Sequence, residues 1–189
     1  VSQGKLEGLA LSSVNFNGTS AYVATDTPPV LGANQTISMW VNWASVPANN
    51  VLLSNGIGGN MWTPTNGWTL FGNDLQYHFG AQGAQNDFSP SYTSITTGKW
   101  QHVVVTSDDT GNTLYVDGVL IGTDADVIAA KTQTLYIGAF EGDSYFFDGN
   151  IRDVRIYDYD ISADQVSSLY SGDYNVTPKY WWKIDEGTG

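Results

Sequence analysis

The chain has 189 residues, 41% of them hydrophobic and 14% charged, with a formal net charge of -12 and no cysteine. Its 7 basic residues against 19 acidic ones exclude a nucleic-acid binder, because phosphate contacts need lysine and arginine, and they disfavour anionic membrane surfaces. No stretch approaches the roughly 18 apolar residues of a transmembrane helix, which excludes membrane insertion by that route, and disulfides contribute nothing.

This size and apolar content suit one domain, residues 1–189, with a single buried core. No signal peptide opens it, and a start at Val1 fits either a processed chain or a piece of a longer one. Strand then follows strand. Residues 13–16 and 21–24 flank Asn17, Gly18 and Thr19, a turn cluster that reads as a hairpin or bulge. Residues 26–35 carry Pro28, Pro29, Gly32 and Asn34 and read as loop. Over 37–43, Ile37, Met39, Val41 and Trp43 alternate with Ser38, Trp40 and Asn42. Bulky residues on both faces put this strand at the centre of a sheet.

A short strand at 51–53 precedes residues 54–67, which read as loop for their glycines, asparagines and Pro64. Trp62 lies in that loop and Trp68 closes it. Aromatics on a polar loop suit stacking on a sugar ring or gripping a partner, or they fold back as a lid on the core. Trp68 also begins a strand, 68–71, that pairs across Gly72, Asn73 and Asp74 with 75–79, where Tyr77 and Phe79 share a face. Trp62, Trp68 and Tyr77 are the candidate stacking platform. Residues 80–90, with Asp87 and Phe88, read as a second polar loop. Over 100–106, Trp100, His102 and Val104 oppose Gln101, Val103 and Val105. No second histidine stands near His102, which reads as a hydrogen-bonded structural residue. Strands 114–116 and 119–121 meet at Asp117 and Gly118, a hairpin signal.

The stretch 134–172 is the most informative. Leu135, Ile137 and Ala139 alternate with Thr134, Tyr136 and Gly138, and Val154 and Ile156 alternate with Asp153, Arg155 and Tyr157. Between these strands lies an acidic loop with Glu141, Gly142, Asp143, Ser144, Asp148 and Gly149. Carboxylates aimed from one loop suit a hard cation such as calcium; a solvated acidic turn is the other reading. A helix follows at 162–170. Ser162 is its N-cap, Gln165 completes a capping box, Ile161 and Val166 form a staple, and Gly172 supplies the stop. The tail holds Tyr180, Trp181, Trp182 and Ile184 after Pro178.

In this order SVNFNGTSAYV, TISMWVNW, GKWQHVVVT, LYVDG and YFFDGNIRDVRIYDYDISADQVSSLYSG resemble the laminin-G-like, concanavalin A-like jelly rolls, in particular their pentraxin-related branch. The resemblance covers nearly the whole chain. It implies an all-β fold, a two-sheet antiparallel jelly-roll sandwich with one short helix near residues 162–170. It implies that residues 175–189 supply a closing strand beside the first. The words YWWKIDEGTG also resemble the opening strand of such a domain, so the tail is alternatively the start of a second copy or a strand donated to a neighbour.

Related glucanases carry paired glutamates on one strand for retaining hydrolysis. Glu7, Glu141 and Glu186 are the only glutamates here and stand far apart. No GxSxG elbow, phosphate loop or HExxH helix is present either, so the expectation is a non-catalytic domain. The pentraxin-like likeness implies calcium, with Glu141, Gly142 and Asp143 as its acidic-loop ligands, Asp148 as an extra candidate, and Asn60 or Asn66 as the distant oxygen. A second calcium site of the glucanase branch is expected to be lost, because Arg152 stands where that branch has aspartate. Two functions remain open. One is an extracellular or cell-surface recognition module binding glycan or a protein surface ligand. The other is an assembly protein, such as a virion decoration, fibre or surface-layer subunit, forming homo-oligomers or larger assemblies.

Overall fold

A computed structural model describes residues 13–60, 63–73, 75, 77–81, 84–88, 94–125, 127 and 131–184. In chain order the strands are β1 (Val14–Asn17), β2 (Val23–Ala24), β3 (Val30–Leu31), β4 (Gln35–Trp43), β5 (Val51–Ser54), β6 (Ile57–Asn60), β7 (Thr63–Phe71) and β8 (Tyr77–Ala81). Then come β9 (Ala84–Phe88), β10 (Trp100–Asp108), β11 (Gly111–Val116), β12 (Val119–Asp124), β13 (Lys131–Thr132), β14 (Tyr136–Ile137), β15 (Asp148–Tyr157), the helix α1 (Ala163–Ser171) and β16 (Tyr180–Trp182).

Two antiparallel sheets form the sandwich. The first has the order β1-β15-β4-β10-β11-β12, with β16 also on β15; the second has the order β2-β14-β5-β7-β8-β9, with β6 also on β7. A separate pair joins β3 to β13. β1 pairs with residues 148–151 of β15 and β16 with residues 154–156, so these two strands lie end to end along the β15 flank that β4 leaves open.

Alternation decides which side chains enter the core. Ile37, Met39, Val41 and Trp43 of β4, Val103 and Val105 of β10, and Ile151, Val154 and Ile156 of β15 are all buried, and Leu52, Leu53, Trp68 and Leu70 of the second sheet join the same cluster. Each such side chain withdrawn from water contributes about 1.5–3 kcal/mol. The Trp43 indole N–H donates to the Gly72 carbonyl at 2.6 Å, so the core tryptophan buries no unpaired donor.

The reverse face of the first sheet is covered by α1. Ile161, Val166 and Leu169 pack on Val104, Tyr115 and Tyr157. The helix begins as its sequence dictates: the Gln165 N–H donates to Ser162 Oγ, and the Ser162 N–H donates to the Gln165 side chain at 2.8 Å. It ends at Gly172, whose N–H donates to the Leu169 carbonyl while the Asp173 N–H donates to that of Ser168.

Three local expectations are corrected, and one strand carries an added feature. Residues 54–67 are not all loop, since β6 pairs with the first half of β7, Gly59 facing Pro64. β8 pairs with β7 only over Asn66–Leu70, so Pro64 sits beyond the two-sided ladder, where its missing N–H costs little. Residues 80–90 likewise contain β9, paired with β8. Over residues 134–140 only Tyr136 and Ile137 join a ladder, although Leu135, Ile137 and Ala139 are buried as the alternation requires. In β15 a bulge between Arg152 and Arg155, with Asp153 at φ 55°, turns both Ile151 and Val154 to the core.

Candidate functional site

The acidic turn lies beside the second sheet, on the side away from α1. Phe140 and Ser144 form an antiparallel bridge, and the Asp143 N–H donates to the Phe140 carbonyl at 3.2 Å. Glu141 (φ 53°) and Gly142 (φ 78°) occupy the two central positions, both left-handed, the conformation of a tight primed turn. Glycine is required at 142 for a second reason. A Cβ there would lie 2.9 Å from the Tyr22 ring and 3.0 Å from that of Tyr136.

Tyr22 and Tyr136 are brought together because β2 pairs with β14, Ala24 opposite Tyr136. Their ring centroids are 6.1 Å apart, and Tyr22 is 46% exposed. Glu141 ties the turn to β6: its Oε1 accepts from the Gly58 N–H at 2.8 Å. Asp143 is exposed and its Oδ1 accepts from Ser144 Oγ at 2.9 Å. Two carboxylates, one held by a backbone N–H and one by a serine hydroxyl, thus border a pair of tyrosine rings.

The residues expected from sequence distribute unevenly. Glu141, Gly142 and Asp143 form this turn. Asp148 stands elsewhere: at the start of β15, its carboxylate accepts from the Ser45 hydroxyl and its Cβ lies against Gly18. Trp68 is 1% exposed and packs in the core, with its backbone N–H donating to Asn55 Oδ1, so it presents no ring to a ligand. Trp62 lies outside the described residues. Asn60, Asn66 and Tyr77 have strand backbones, in β6, β7 and β8. Among the described residues no three His, Cys, Asp or Glu side chains converge as a metal-ligand group. A cation at the turn would draw on the carboxylates of Glu141 and Asp143, with any further oxygen supplied by the backbone or by the neighbouring ribbon. Sequence reasoning missed Tyr22 and Tyr136. The signal was present in the alternation, which puts Tyr136 opposite the buried Leu135 and Ile137, but only the β2–β14 pairing brings Tyr22 to it.

On the opposite sheet, beside α1, a second aromatic group surrounds His102. Its ring lies 4.9 Å from that of Trp40 and 6.2 Å from that of Tyr170, and its Nε2 is 2.9 Å from Ser38 Oγ. Burial, and secondarily the charge of Arg155, pushes His102 down to about 3. It is therefore a neutral, structural histidine at physiological pH. Next to it Arg152 lies over the rings of Trp100 (4.4 Å) and Trp40 (5.3 Å).

Comparison with known proteins matches this architecture. Residues 17–167 match the family described as the concanavalin A-like lectin/glucanases superfamily. No curated protein matches the chain. Among solved structures, the CBM40 domain of a Ruminococcus gnavus IT-sialidase bound to alpha2,3 sialyllactose superposes with a TM-score of 0.68 at 17% identity, covering 84% of this chain and 96% of that one. The heptameric SAP-like pentraxin of Limulus polyphemus gives 0.63 at 16% identity over 92% and 88%. The botulinum neurotoxin serotype D binding domain gives 0.62 at 17% identity over 84% of this chain, which spans only 41% of that one. At these identities the structural likeness is one of fold. The family match covers most of the sequence, and the chain belongs to the concanavalin A-like lectin/glucanases superfamily.

Proposed function

We propose that the chain is a non-catalytic, extracellular recognition module that binds a glycan on the outer face of its second sheet, with calcium ordering the acidic turn. The observation that carries this reading is the juxtaposition of Tyr22 and Tyr136 with Glu141 and Asp143, pinned to β6 through Gly58. Aromatic faces stack on the apolar face of a sugar, and the carboxylates hold either a hard cation or sugar hydroxyls. The likeness in fold to a CBM40 domain bound to alpha2,3 sialyllactose and to a neurotoxin binding domain supports a recognition role.

The test is a thermal melt with and without millimolar calcium, followed by glycan-array binding. Calcium is expected to raise the melting temperature of the wild type, because a ligand of the folded state stabilises it. The rise should vanish in Asp143→Ala and in Glu141→Gln, the latter keeping an acceptor for Gly58. Glycan binding should be lost in Tyr22→Ala. A calcium-independent melt would remove the cation from this reading, and glycan binding indifferent to Tyr22 would remove the site.

One observation favours assembly instead. β12 is an outer strand of the first sheet, with no further strand beside it among the described residues, and leaves Val119 62% and Leu120 55% exposed, an edge suited to pairing. Light scattering after size exclusion distinguishes this reading, which expects oligomers that Leu120→Lys dissolves.

A further inference from the structure

We propose a second ligand site, on the opposite sheet at the junction of β15 and β16, that takes a carboxylate-bearing sugar such as a hexuronate unit. It does not rest on the reading above. A cavity of about 330 Å³ opens here, lined by Arg155, Tyr174, Val176, Pro178, Lys179 and Trp181. That is the lower end of the range of small-molecule sites, about 300–1,000 Å³.

The site is built around Arg155. Its side chain is only 4% exposed, and its guanidinium carbon lies 3.8 Å from the Tyr174 ring centroid and 4.6 Å from that of Trp181. One carboxylate oxygen, Asp153 Oδ1, accepts both from Arg155 Nε at 2.9 Å and from the Trp181 indole N–H at 2.6 Å. The bulge of β15 makes this possible: Asp153 sits at φ 55°, and its N–H donates to the Lys183 carbonyl at 2.8 Å. A strained backbone position is thereby used to fix one arginine and one tryptophan against each other.

Charge and shape select the ligand. In a chain of net charge -12, four of the seven basic residues, Arg152, Arg155, Lys179 and Lys183, belong to β15 and the tail around β16. Lys179 pairs with Asp158 at 3.0 Å and Lys183 lies 5.0 Å from the Trp181 ring centroid. Asp153 already takes the Nε edge of Arg155, so a ligand carboxylate would meet the terminal amines of the planar fork, through paired hydrogen bonds that a neutral sugar cannot reproduce. Tyr174 and Trp181, 57% and 49% exposed, supply faces for a pyranose ring, and Val176 and Pro178 exclude water beneath it.

The experiment is calorimetric titration of the whole chain with a glucuronate-containing disaccharide and with its neutral glucose counterpart. The acidic sugar should bind at least about tenfold more tightly, the factor one charge-assisted hydrogen bond supplies, and more weakly as salt rises. Tyr174→Ala, on an exposed segment outside any strand, should weaken it about tenfold while leaving the chain folded. Arg155→Lys, which keeps the charge and loses the fork, should abolish the preference for the acidic sugar. Asp143→Ala should leave this binding intact, which separates the two sites. Equal affinity for both sugars, no binding of either up to about 10 mM, or acidic-sugar binding unchanged in Tyr174→Ala would overturn the proposal.

Discussion

His102 carries the clearest consequence at the scale of single residues. The folded state holds its pKa at about 3 against 6.5 when free. Below 6.5 the unfolded chain takes up a proton that the folded chain refuses, so stability is full above that pH and falls as the pH drops towards 3, by up to about 1.4 kcal/mol per unit. Melting temperature against pH should therefore slope downward from 6.5 to 4, and His102→Gln should flatten the slope; an unchanged slope would assign it to other groups. Trp68 makes a different prediction. As a core residue, Trp68→Ala should cost about 3–5 kcal/mol in a denaturant titration, where a surface platform would cost almost nothing. Its sequence context, after a Gly- and Asn-rich stretch, left both readings open, and only the packing of the two sheets decides between them. Gly142→Ala should destabilise by about 1–2 kcal/mol, from the left-handed backbone and the contact with Tyr22 and Tyr136, and should disturb the proposed glycan face.

At the scale of elements, the helix was the most legible part of the chain because its signals are local. The cap, the reciprocal Gln165, the Ile161–Val166 staple and the Gly172 stop all act within a few residues of one another. Ser162→Ala should cost about 1 kcal/mol in a thermal melt, with Ser162→Asp restoring most of it. The ribbon strands were less legible. β6, the first half of β7, and β9 are held by pairing with neighbours, and their Gly-, Asn- and Gln-rich sequences have little strand propensity of their own. The bulge of β15 was hidden for the same reason. A period of two cannot reveal an inserted residue until β4 and the tail fix the register on either side.

At the scale of the whole molecule, the match of residues 17–167 to a lectin and glucanase superfamily agrees with a sandwich whose two outer faces differ. One is covered by α1 and gathers Arg152, Arg155 and the rings of Trp40, Trp100 and Trp181; the other carries an acidic turn beside two tyrosines. Such a division should appear as two independent binding events, additive in mixed titrations because the two sites share no partners. The sequence by itself determined the all-β class, the alternating core faces of β4, β10 and β15, the helix and its caps, and the acidic turn. Each follows from a periodicity or a motif confined to a short window. The tertiary structure alone decided that Tyr22 meets Tyr136, that Glu141 reaches Gly58, that Trp68 is core, and that Arg155 meets Tyr174 and Trp181. Those contacts join residues 19 to 114 positions apart, and no local pattern encodes which strands will become neighbours.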